Sequence, residues 1–89
     1  MECRIILFSG RVQGVGFRQT AVMLADDLPV GGTVRNLPDG RVELVVEGPK
    51  VAIDQFIELL RERFGTMIRK VQQDHVFVQG LARGIAVTY

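Results

Sequence analysis

Two stretches of helical periodicity enclose a pair of strands joined by a tight turn, and that order leaves an 89-residue chain few ways to fold. The turn is Pro38-Asp39-Gly40, in which proline presets φ and glycine takes the left-handed position at no steric cost. Gly32 to Leu37 and Arg41 to Glu47 flank it as the strands of a β-hairpin. In the second strand Val42, Leu44 and Val46 face one way, Glu43 and Glu47 the other, so both glutamates are expected on the outer face. Upstream, Arg18 to Leu28 lines up Ala21, Val22, Leu24, Ala25 and Leu28 as the apolar stripe of a helix that Pro29 stops. Asp26 and Asp27 then fall in its last turn, where the helix dipole disfavours negative charge. Downstream, Lys50 to Phe64 carries Ile53, Phe56, Ile57, Leu60 and Phe64 at helical spacing. Pro49 is expected to open this helix and Gly65 to cap it.

Arg4 to Ser9, with apolar residues on both faces, reads as a strand at the centre of a covered sheet, and Lys70 to Val78 as a further strand. Gly80 to Gly84 reads as a bend before a last short strand, Ile85 to Tyr89. Strand, helix, strand, strand, helix, strand is the order of an α+β ferredoxin-like βαββαβ sandwich. The expected form is an antiparallel sheet with two helices on one face and a short extra C-terminal strand, in one domain over residues 1–89.

Composition removes several classes of function. Apolar content of 47% and charged content of 24% are ordinary for a soluble globule. A net charge of +1 gives no general attraction to nucleic acid or membrane. The single cysteine, Cys3, has no disulfide partner and no neighbour to stabilise a thiolate. The single histidine, His75, has no second ligand at metal spacing, so no metal and no cofactor are expected. The N-terminal apolar run is too short for a signal peptide, and nothing nears the ~20 residues of a membrane span. A cytoplasmic location and a monomeric state are the expectations.

The chemistry is carried by Gly10-Arg11-Val12-Gln13-Gly14-Val15-Gly16-Phe17-Arg18, between the first strand and the first helix. A glycine-bearing turn at a helix N-terminus can converge backbone N–H groups on an oxyanion. The expected donors are the amides of Gln13, Gly14, Val15, Gly16 and Phe17. Arg18 adds a planar guanidinium whose paired N–H groups match phosphate oxygens. Asn36 ends the second strand and has a bland reading, a side chain bonded to its own turn. Its carboxamide, both donor and acceptor, also suits holding a water against a bound phosphorus. Glu58, Arg61, Glu62 and Arg63 read as the wet face of the second helix, and Arg35 and Arg41 as solvated flanks of the hairpin turn.

The loop string, with Gly32-Thr33-Val34-Arg35-Asn36, Leu37-Pro38-Asp39-Gly40-Arg41-Val42 and Glu47-Gly48, closely resembles the signature of the acylphosphatases. That resemblance implies hydrolysis of the carboxyl–phosphate bond of small acyl phosphates. It puts the family's phosphate-binding arginine at Arg18, its water-orienting asparagine at Asn36 and its phosphate cradle at the amides of 13–17. Phosphate or sulfate is expected to occupy that loop. Thr33 and Gln19 stand where the family usually carries bulky aromatics, and Asp26-Asp27-Leu28-Pro29 where it usually ends a helix on glycine.

Two other functions fit the same order of elements. One is a non-catalytic module binding phosphate or carbamoyl phosphate. The other is RNA binding, since RRM domains share the topology, but Arg41 to Glu47 carries none of the stacking aromatics that such a surface needs.

Overall fold

A computed structural model describes all 89 residues, Met1–Tyr89. The elements are β1 (Glu2–Gly10), α1 (Phe17–Ala25), β2 (Gly31–Asn36), β3 (Val42–Gly48), α2 (Lys50–Phe64), β4 (Ile68–Val76) and β5 (Gly84–Val87), with a single 3₁₀ turn at Gly65–Met67. The sheet order is β4-β1-β3-β2-β5. The first four strands pair antiparallel, giving the expected ferredoxin-like core.

The extra strand departs from an all-antiparallel sheet, because β5 runs parallel to β2. Its direction follows from its position. β4 and β5 occupy opposite edges, four strand spacings or roughly 19 Å apart. Residues 77–83 make that crossing and, fully extended, reach roughly 25 Å. A segment this short has no length left to travel back along the sheet, so β5 starts beside Gly31, at the end where β4 finishes opposite Cys3, and runs back opposite in direction to β4.

Glu47 pins this crossing strap. Its carboxylate accepts hydrogen bonds from the backbone N–H of Gln79 and of Leu81, the latter at 3.0 Å. Glu47 lies on the open face of β3, as its alternation requires, but the strap covers it and leaves it buried. Glu43 on the same face stays half-buried and accepts from Arg35 Nε at 2.9 Å. The backbone donors, Gln79 first, hold the Glu47 carboxyl below its ordinary range despite burial. A folded value below the unfolded one stabilises the fold above the ordinary carboxylate range and is lost as pH falls through the folded value. Urea midpoints are therefore expected to fall on acidification from about pH 5. Glu47→Gln should flatten part of that fall, and an unchanged slope would show that the strap is held by other groups.

α1 ends at Ala25, three residues before the expected stop at Leu28. Pro29 disfavours helical geometry at Leu28, and the chain tightens instead, with Asp26 N–H donating to Met23 O. Asp26 and Asp27 thus lie beyond the last helical turn. α2 spans its expected residues, and Pro49 stands at its N-cap position, its carbonyl accepting from Ile53 N–H at 3.0 Å.

Both helices pack on the face of the sheet that carries Ile6, Phe8, Val34, Leu44 and Val46, all buried. Phe17 joins the layers: its ring centroid lies 4.9 Å from that of Phe8 and 4.7 Å from that of Phe64. Arg4 closes the far end of the core, donating to Asp54, Glu2 and Gln73. No helix is long and apolar enough to cross a membrane.

Candidate active site

Phe17 anchors the start of α1 in the core and so fixes the neighbouring Arg18, which stays half-buried at the surface. The preceding loop reaches Phe17 through two glycines at positive φ, Gly14 at 73° and Gly16 at 81°. Gly16 is the N-cap residue of α1 in left-handed conformation, and its carbonyl accepts from Thr20 N–H at 3.0 Å. A Cβ there would meet nothing within 4 Å, so the cost of a side chain is conformational rather than a matter of crowding. Gly16→Ala is expected to lower stability by about 1 kcal/mol, read as a shift of the urea midpoint.

The consequence of this geometry is a row of free donors. The amides of Gln13, Gly14, Val15, Gly16, Phe17 and Arg18 donate to no protein acceptor. They sit at a helix N-terminus, where the dipole adds to their partial charge.

Gln13 does more than its backbone. Its side-chain Nε2 donates to Leu37 O at 2.8 Å and to Arg41 O at 3.0 Å. The loop is thereby tied to both sides of the hairpin turn, directly beside Asn36. Sequence reading missed this brace, because no local pattern links a loop glutamine to carbonyls 24 and 28 residues away.

Arg18 and Asn36 line one cleft of about 430 Å³, together with Gly14, Gly16 and Phe17. Of the expected cradle residues, Gln13 and Val15 are not part of its lining: Gln13 turns to the hairpin and Val15 is exposed. Asn36 is half-buried and its side chain makes no hydrogen bond, so it does not bond its own turn. Asp39 takes that role, its Oδ1 accepting from Arg41 N–H at 3.0 Å. Arg18 forms no ion pair, in contrast to Arg4, Arg35 and Arg41. The Arg18 guanidinium, the Asn36 carboxamide and the loop residues Gly14, Gly16 and Phe17 thus share one opening, and the guanidinium, the carboxamide and the three amides donate to no protein acceptor.

Apolar residues line the same cleft: Val12, Phe17, Val22 from α1, Val87 from β5, and Tyr89 just beyond it. The Arg18 guanidinium carbon lies 5.6 Å from the centroid of the Tyr89 ring, a cation–π arrangement. Nothing in the local sequence signals that Val87 and Tyr89 reach this cleft, because that depends on β5 pairing with β2. Gln19 lines the same cleft, whereas Thr33 lies on a separate depression beside β5. His75 is exposed, with Nε2 3.4 Å from Glu2.

A family model described as acylphosphatase matches residues 4–82. An acylphosphatase of Thermus thermophilus is 50% identical over 58 residues, which span 65% of this chain and 66% of that protein. The crystal structure of an acylphosphatase from Bacillus subtilis superimposes with a TM-score of 0.90 at 35% identity, over all of both chains. A structure of full-length HypF in a phosphate- and nucleotide-bound form is also similar. It has a TM-score of 0.85 at 26% identity over 99% of this chain, which matches 12% of that one. The sequence match thus covers just under two thirds of the Thermus relative, while the structural match to the Bacillus enzyme is complete.

Proposed function

The chain belongs to the acylphosphatase family, and on that premise we propose that it hydrolyses acyl phosphates to a carboxylate and inorganic phosphate. One observation carries the reading: Gly14, Gly16 and Phe17, whose amides have no protein acceptor, line the same cleft as Arg18, which has no ion pair, and Asn36, whose side chain has no hydrogen bond.

The physics of the reaction matches that equipment. A carboxylate is a good leaving group, so the protein needs neither a strong acid nor a covalent nucleophile. It must hold the phosphoryl group, spread its charge and align one water. The amides of 13–17 and the Arg18 fork do the first two. Their fixed dipoles favour the transition state, in which charge moves onto the equatorial oxygens. Asn36 does the third, holding a water with its lone pair toward phosphorus. The water oxygen bonds to phosphorus and the bond to the acyl oxygen breaks. The carboxylate leaves with the electron pair, and a phosphoryl oxygen takes the proton. Each step uses groups of this chain and the substrate alone. The reading takes the protein as a cytoplasmic monomer.

Phosphate release from acetyl phosphate and benzoyl phosphate in chelator-treated buffer tests this. Turnover well above the spontaneous rate is expected. A second reading, phosphate or carbamoyl phosphate binding without turnover, draws on the likeness to a segment of the far longer HypF. Calorimetric phosphate binding with no hydrolysis of any acyl phosphate would select it.

A further inference from the structure

We propose that the Gln13 side chain is a positioning group for hydrolysis: it keeps the phosphate cradle in register with Asn36, and so with the water that Asn36 holds. The inference rests on the hydrolase reading and adds to it a side chain that touches neither phosphate nor water. The Gln13 amide nitrogen has two protons, and both are used: Nε2 donates to Leu37 O at 2.8 Å and to Arg41 O at 3.0 Å. Those carbonyls stand on the two sides of the hairpin turn. Leu37 directly follows Asn36, the last residue of β2, and Arg41 directly precedes Val42, the β3 residue opposite Asn36. Both strands are therefore held where they meet Asn36.

The loop has little else to fix its distance from the hairpin. Its ends are anchored in the core by Val12 and Phe17, both buried, and Arg11 N–H donates to Met67 O at 2.8 Å. Between those anchors the amides of 13–16 have no protein acceptor, and Gly14 and Gly16 turn the chain at positive φ. No other hydrogen bond joins residues 12–16 to the hairpin. The hairpin, by contrast, closes without Gln13. Leu37 N–H donates to Arg41 O at 2.8 Å and Gly40 N–H to Leu37 O at 3.1 Å, so each carbonyl keeps a partner when the glutamine is removed. The brace orders the site more than it holds the fold. In-line attack tolerates little error in the placement of water against phosphorus, so a loosened brace slows the chemical step and leaves the cradle's own donors in place.

The test is a double-mutant cycle on kcat for benzoyl phosphate, with inhibition by inorganic phosphate and the urea midpoint read alongside. Gln13→Met keeps the length and removes both donors. It should lower kcat ~10-fold, weaken phosphate inhibition less than ~2-fold and move the urea midpoint no further than Gly16→Ala does. In an Asn36→Ala background, where no held water remains to be aligned, the same change should cost less than ~2-fold. Gln13→Glu supplies a second readout. Its carboxylate faces two carbonyl oxygens and donates nothing, whereas its protonated form donates through one O–H. Its kcat relative to wild type should therefore rise ~3-fold from about pH 7 to about pH 5. Equal losses with and without Asn36 would mean that Gln13 acts independently of it, and the proposal fails. Weaker phosphate inhibition at unchanged kcat would make the glutamine a support of the cradle alone, and also overturns it. So does wild-type kcat in Gln13→Met, or a chain that folds in neither variant. Wild-type protein inert toward acyl phosphates would instead remove the hydrolase reading, and the positioning role with it.

Discussion

Arg18→Ala is expected to lower the turnover of acyl phosphates by ~100-fold or more, as loss of a principal charge stabiliser does. The reason is that the guanidinium has no competing duty. It forms no ion pair, and its one aromatic neighbour is an exposed ring. The fold does not depend on it, because the neighbouring Phe17 supplies the core contacts that anchor α1. The urea midpoint should therefore correspond to a change within about 0.5 kcal/mol of wild type, while kcat collapses. Arg18→Lys keeps the charge and loses the fork, so it should restore little. Wild-type turnover in either variant would remove Arg18 from the mechanism.

Asn36→Ala is the second large effect, and its signature is different. Asn36 carries no charge, and it is proposed to hold water rather than phosphate. The variant should lose ~100-fold in kcat, the scale on which a positioning contact acts. Inhibition by inorganic phosphate should change by less than ~3-fold, since the loop amides and Arg18 remain. The two measurements separate the roles: Arg18→Ala is expected to weaken phosphate binding, and Asn36→Ala is not. A variant that keeps its turnover at saturation but loses phosphate affinity would make Asn36 a ligand of the phosphate instead.

Much of this site could be read along the chain because its parts are local. Gly14, Gly16 and Arg18 form one string, and glycines that turn the chain just before a helix start, with an arginine behind them, suit an oxyanion. The hairpin turn was equally legible, and so was α2, whose five spaced apolar residues are all buried. Two expectations failed, one through a distant segment and one through a local residue. Glu47 alternates like a solvent-facing residue and points the expected way, yet a strap more than thirty residues downstream covers it. α1 stops short of Pro29 because the proline acts backward on the residues before it.

Sequence alone determined the order of elements, the two apolar helix faces and the groups with chemistry to offer, because each depends on neighbours within a few positions. Tertiary structure decided that Gln13 braces the hairpin, that Arg18 and Asn36 share an opening, and that Tyr89 stands beside Arg18 in it. Those facts rest on strand pairing between segments far apart in the chain. β5 lies beside β2 only because residues 77–83 must cross the sheet, and a one-dimensional pattern carries no record of which edge a strand will join.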